Sequence, residues 1–231
     1  MADRRLSVNP AHVVDVPAEH TKEQLFLSRE QVATLADAIA PEFRAFVLMA
    51  AYGGLRWGEL IALRRDRIDV LRCRIAVLET ATQVKGTISF GPPKTSKSKR
   101  TVPVARSIMR DIEQHLAEYV PADPDALIFT AAKGGPLYRA TFAREVWKPA
   151  ITAAGVSGLR IHDLRHSFVA IMTAAGANAK EVSTWAGHSS VAFTLDRYGH
   201  LYDDHGDDVV DRMDALLSTV RPVNAYVRSI G

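Results

Sequence analysis

A histidine and an arginine three residues apart open the stretch His162-Asp163-Leu164-Arg165-His166-Ser167-Phe168, which follows Gly158 and reads as the start of a helix. Positions i and i+3 share a helix face, so His162 and Arg165 address one ligand together. A planar guanidinium grips two oxygens of an oxyanion at once, and an imidazole moves a proton near neutral pH. That pair suits a phosphate group undergoing chemistry. His162 and His166 also stand four residues apart, a spacing that two zinc ligands use on a helix. Asp163 is one methylene shorter than the glutamate of such sites, however, and no nearby downstream ligand completes the set. Arg165 would repel the metal, so no metal or cofactor is expected.

Three further segments carry candidates. The double glycine of Gly53-Gly54-Leu55-Arg56-Trp57-Gly58-Glu59-Leu60 lets the backbone come close to a ligand, and the helix that follows turns its positive end toward an anion. Arg56 lies there, with Glu59 three residues on to hold it; the plainer alternative is a helix-helix turn with a surface ion pair. Between Gly91 and Thr101 lie Lys94, Lys97, Lys99 and Arg100, interleaved with hydroxyls. They form either a solvated hairpin turn or a loop that tracks a phosphate backbone with one lysine at the reacting group. In Trp185-Ala186-Gly187-His188-Ser189-Ser190, Gly187 ends one helix and Ser189 or Ser190 caps the next. His188 sits in the turn as a donor. Tyr198 ends the second helix, as a packed amphipathic residue or as a nucleophile.

The elements that must position these side chains follow from periodicity. Ser28 with Gln31 three residues on makes a capping box, and Val32, Leu35, Ala36 and Ile39 follow at helical spacing. Further helices are predicted over 42–52, 57–63, 106–119, 139–154, 162–175, 180–186 and 191–198. A last amphipathic helix carries Val209, Val210, Met213, Leu216 and Leu217. Residues 75–78, 87–90 and 101–104 read as short strands. The class is therefore mainly α with a small three-stranded antiparallel β-sheet (α+β). Residues 1–22 read as a linker or arm, 23–199 as the main domain, and 200–231 as a tail.

Bulk composition narrows the function classes. Of 231 residues, 47% are hydrophobic and 24% charged, an ordinary globular balance that excludes a disordered chain. The net charge is only +3, so any nucleic-acid footprint is local. Cys73, the sole cysteine, rules out an internal disulfide; in its apolar, strand-like run it reads as an inert buried thiol. No apolar run reaches the length of a membrane span and Met-Ala-Asp-Arg-Arg begins no signal peptide, so a cytoplasmic protein away from membranes is expected.

In chain order, Arg56 with Glu59, Lys94 in a β-hairpin, His162-x-x-Arg165, Gly187-His188 and Tyr198 resemble the catalytic domain of the tyrosine recombinases, the phage integrase family. The resemblance runs from about Leu27 to Leu201 and includes the ten-residue interval from His188 to Tyr198. It departs at Trp185-Ala186, where a leucine commonly precedes Gly-His, and at Phe193, where a small or polar residue is common. The resemblance implies a site-specific recombinase that cleaves and rejoins double-stranded DNA at attachment sites through a 3′-phosphotyrosyl intermediate, in a bacterial cell or as a phage protein in the host cytoplasm. It makes Tyr198 the nucleophile. Arg56 and Arg165 grip the non-bridging oxygens, His188 adds a hydrogen bond and His162 manages the tyrosine's proton. Lys94, or in its place Lys97, protonates the departing 5′-oxygen. Glu59 supports, and Lys97, Lys99 and Arg100 follow the DNA backbone. No metal or nucleotide is consumed.

Further implications are a core-binding domain ahead of the leader around Asn9-Pro10, a monomer in solution and a homotetramer on DNA. An accessory directionality factor is left open. The helix around Val209 to Leu217 reaches a neighbouring protomer or covers its own core. Two other classes stay open: a type IB topoisomerase sharing the chemistry, and an inactive DNA-binding regulator.

Overall fold

The computed structural model describes residues 25–93, 98–202 and 206–218. Lys94, Lys97 and the expected leader lie outside them. Ser28 caps the first helix as its pattern predicts: its hydroxyl accepts from the Gln31 N–H (3.2 Å) while Gln31 Oε1 accepts from the Ser28 N–H (2.9 Å). Helix α1 (Arg29–Ala38) buries Val32, Leu35 and Ala36. After a short 3-10 turn at Pro41–Phe43 comes α2 (Arg44–Gly53), in which Ala45 through Ala51 are all buried. A helix apolar on every side belongs at the centre of a core, and α2 packs against α1 and two helices described below.

After α3 (Trp57–Leu60) the chain enters its β region. Strands β1 (Ile68–Asp69), β2 (Arg74–Val77) and β5 (Arg100–Pro103) form an antiparallel sheet in that order, with Ile75 opposite Val102. The strand predicted at 87–90 exists, but not in that sheet. As β4 (Thr87–Gly91) it pairs with β3 (Thr80–Val84) in a separate hairpin. Lys85 and Gly86 take positive φ (48° and 82°), the two-residue turn whose twist matches the strands. Polar Thr80, Thr82 and Gln83 hide β3 from hydrophobicity, and the two-residue β1 is too short to leave a pattern. Cys73 is half-buried in the turn before β2, with φ 52°, rather than inside a strand.

Helix α4 (Arg106–Tyr119) has the predicted bounds. The single helix expected over 139–154 is α5 (Arg139–Phe142), a π-helical turn (Ala143–Trp147) and α6 (Lys148–Ala153). Pro149 has no N–H for the carbonyl one turn back, which loosens the ladder there. Then come α7 (Asp163–Ala174), α8 (Ala179–Ala186), α9 (Val191–Tyr198) and α10 (Gly206–Ser218).

The core has two parts. The larger runs from Leu27 to Leu164 and centres on α2; the smaller joins Phe168 and Val169 of α7, Val182 and Ala186 of α8, and Tyr198 of α9. Val210, Met213, Leu216 and Leu217 of α10 are exposed. No helix among the described residues is long and apolar enough to cross a membrane.

Candidate active site

The double glycine is a structural necessity. Gly54 lies in the left-handed region (φ 62°), and a Cβ there would come within 2.4 Å of the Phe168 ring. With only hydrogen at that point, α7 closes against the end of α2, and the Gly54 carbonyl accepts a 2.6 Å hydrogen bond from Arg165 Nη1. Gly187 plays the matching part at the end of α8 (φ 66°): a Cβ would press on the Arg100 guanidinium at 3.1 Å, and its carbonyl accepts from Arg56 Nη2 at 2.8 Å. The glycines thus leave room for arginines and supply the carbonyls that aim them.

Glu59 is the hub. Both its oxygens accept from Arg100, Oε1 from Nη1 and Oε2 from Nη2, each at 2.9 Å. Oε1 also takes Arg56 Nη1 (3.0 Å), and Oε2 the Arg56 backbone N–H (2.8 Å). Burial alone would raise the pKa of this carboxyl, but the Arg100 fork and Arg56 overcome it and hold it at about 2. Arg100 further donates Nε to the Trp185 carbonyl at 2.6 Å, tying β5 to α8.

Arg100 does not face outward to follow DNA as expected; its side chain is 3% exposed and it braces Glu59. The signal was present, since strand alternation puts Arg100 on the same buried face as Val102. Lys99, the next residue outward, is exposed as expected.

Arg56 and Arg100 both bond Glu59, and Arg165 lies near enough to feel all three charges, which leaves local positive charge in excess. Arg165 bears the cost. Burial first, and then repulsion from Arg56 and Arg100, pull its pKa down to about 9. Its Nη2 is buried with no hydrogen-bond partner among the described residues. A buried charged donor without an acceptor is costly unless something absent supplies one. Arg56, at 38% side-chain exposure, marks the open edge of the same site.

Three imidazoles and a phenol complete the array. His188 is buried in the α8–α9 turn, its Nδ1 2.7 Å from the Thr194 hydroxyl. Burial, then the charges of Arg165, Arg56 and Arg100, lower its pKa to about 3, so it is neutral. The Thr194 hydroxyl can donate to Nδ1, and in that tautomer Nε2 carries the hydrogen and is a donor. Its ring lies parallel to that of Tyr198, 8° apart in plane at 5.9 Å. Tyr198 is 2% exposed, and burial raises its pKa against the pull of Arg165 and Arg197.

His162 sits at the mouth of α7 with an exposed edge, its pKa lowered by partial burial and by Arg165 and Arg56. No hydrogen bond joins it to Tyr198 among the described residues. The imidazole that meets the phenol is His166, weighed in the sequence only as a metal ligand: its Nδ1 lies 2.6 Å from the Tyr198 oxygen.

A half-exposed arginine and a buried one with an unpartnered nitrogen, gathered with a phenol, form an arrangement with known relatives. The sequence pattern of the phage integrase family matches residues 25–205. The chain belongs to that family. The integrase of Mycobacterium phage D29 is 31% identical over 219 residues, covering 93% of this chain and 58% of the phage protein. The ICEBs1 integrase of Bacillus subtilis (strain 168) is 30% identical over 183 residues, 76% of this chain and 49% of that one. The chain thus spans about half to two-thirds of the length of these relatives.

Solved structures share the fold. The Tn1549 transposon integrase in complex with circular intermediate DNA superposes with a TM-score of 0.67 at 20% identity, over 91% of this chain and 72% of that one. The catalytic domain of bacteriophage HP1 integrase gives 0.56 at 19% identity, over 86% and 100%. The fold is that of an integrase catalytic domain, helix-rich with a small antiparallel sheet.

Proposed function

We propose that this integrase-family chain is the catalytic part of a site-specific DNA recombinase that breaks and rejoins one strand at a time through Tyr198. The observation that carries the reading is the unpartnered Nη2 of buried Arg165 beside half-exposed Arg56, with a phenol in the same array. That unpartnered donor suits a phosphodiester whose two non-bridging oxygens meet Arg56 and Arg165, with His188 Nε2 donating to the same group.

In this reading the Tyr198 oxygen attacks phosphorus, the P–O bond to the 5′-oxygen breaks, and a 3′-phosphotyrosyl ester remains. Negative charge grows on the phosphoryl oxygens during attack, where fixed guanidiniums stabilise it without reorganising. Lys94, with Lys97 as the substitute, protonates the departing 5′-oxygen. Lys99 follows the DNA backbone. His162, at the open edge beside both arginines, is a further donor to the phosphate. Glu59 and Arg100 hold Arg56 in place. A 5′-hydroxyl from a second duplex reverses the step and completes exchange. The exposed stripe of α10 is a face for a neighbouring protomer, consistent with a monomer in solution and a tetramer on DNA.

Nicked duplexes tiled across the DNA flanking the chain's own gene test the reading. With wild type, a covalent protein–DNA band on a denaturing gel is expected on one duplex. Tyr198→Phe should bind that duplex and give no band; a normal band from this variant would refute the nucleophile.

A further inference from the structure

The phenol proton has to leave as Tyr198 attacks, and the array contains three imidazoles. Geometry comes first in choosing a base: it must lie within hydrogen-bond reach of the proton it takes. His188 lies parallel to the tyrosine ring with centroids 5.9 Å apart, and its Nδ1 is engaged by Thr194. His162 lies edge-on to His166, with ring centroids 5.0 Å apart, on the open side. His166 Nδ1 is at 2.6 Å from the hydroxyl oxygen, and both side chains are buried. We propose that His166 is the catalytic base of strand cleavage, taking the Tyr198 hydroxyl proton on Nδ1, and that it holds the phenol in position beforehand.

This rests on the strand-transfer reading and completes its proton balance. The proton passes from Tyr198 to His166 as the tyrosyl–phosphorus bond forms, while the 5′-oxygen takes one from the lysine. In the reverse step the lysine recovers a proton from the attacking 5′-hydroxyl, and His166 returns its own to the departing phenolate. The Nδ1 lone pair faces the phenol when the ring hydrogen sits on Nε2, the tautomer that lets the hydroxyl donate.

The surroundings make this base conditional. Burial, then His162 and Arg197, hold His166 at a pKa of about 4, while Asp163 opposes them and Arg160 adds to them. In the free protein the imidazole is a weak acceptor and the phenol stays protonated. A phosphodiester seated between Arg56 and Arg165 brings negative charge into the array, which favours the protonated form of nearby imidazoles. Base strength then rises only when a phosphate is there to be attacked. In a free phenol with pKa near 10, only about one molecule in a thousand is ionised at pH 7, so without such a base the nucleophile is scarce.

The test separates proton transfer from packing. His166→Ala and His166→Gln are compared with wild type on the duplex that traps the protein. They are also compared in joining a 5′-hydroxyl end to a 3′-p-nitrophenyl phosphate end, a reaction that uses the arginines but neither Tyr198 nor its proton. The glutamine can accept the phenol's hydrogen bond but cannot keep the proton. Loss of a general base slows covalent trapping by about 10²- to 10⁴-fold in both variants. Joining of the nitrophenyl ester should stay within a few fold of wild type, and added imidazole should restore trapping to His166→Ala only. Trapping by His166→Gln at the wild-type rate, or parallel losses in trapping and joining, would overturn the proposal. A wild type that traps on no duplex overturns the strand-transfer reading, and this inference with it.

Discussion

Replacing Glu59 with glutamine changes one charge and almost no volume, and its cost can be worked out. The carboxyl is 3% exposed, accepts four hydrogen bonds, and has its pKa moved from 4.5 to about 2. A depressed acid contributes stability above its unfolded pKa and loses it as pH falls through the folded one. At 1.36 kcal/mol per unit, a shift of about 2.5 units is about 3 kcal/mol at pH 7, falling to about 1.5 kcal/mol at pH 3. An independent route agrees: breaking a buried ion pair from one side leaves Arg100 uncompensated, at about 3–5 kcal/mol. For a domain of this size, 3 kcal/mol lowers Tm by roughly 6–12 °C. Glu59→Gln and wild type are compared by denaturant titration at pH 7 and pH 3. A gap near 3 kcal/mol that shrinks by about half at pH 3 is expected. A gap under about 1 kcal/mol, as for an exposed pair, or one independent of pH, would refute the hub.

Arg165→Met should raise Tm, because it removes a guanidinium that burial and two neighbours hold at a pKa of about 9, while covalent trapping falls by about 100-fold or more; a loss of both would mean that Arg165 supports the fold. Gly54→Ala should lower both, since a Cβ meets Phe168 at 2.4 Å and the displaced carbonyl releases Arg165; wild-type trapping from this variant would break that link. Lys94→Ala should trap slowly on an ordinary duplex and at the wild-type rate on one with a 5′-bridging sulfur, whose departure needs no proton; absence of rescue moves the acid role to Lys97.

Much of this was readable in the sequence, and the failures share one cause. Helices announced themselves where capping and apolar spacing act within one segment, as at Ser28 and along α4. Arg56, Glu59, Arg165, His188 and Tyr198 could be picked because each sits in a local motif. β3 could not, being a polar strand defined by its partner. Arg100 stands in a basic run, although the alternation on β5 turns it inward. Spacing sets His166 only beside His162, because its partner Tyr198 is 32 residues away in the chain. Pairings across the fold leave no spacing to read.

The arginines also cross a boundary. Arg100 on β5 reaches the end of α8, Arg56 reaches Gly187, and Arg165 on α7 reaches back to Gly54, so the site lies along the seam between the two apolar clusters. Like charges gathered on a seam push its sides apart, and an anion set among them reverses the sign of that force. A phosphodiester bound there would fasten the two halves to each other as well as present a bond to be cut. Opening and closing of the seam would then follow occupancy of the site, and the domain would be most cohesive at the moment when its chemistry begins.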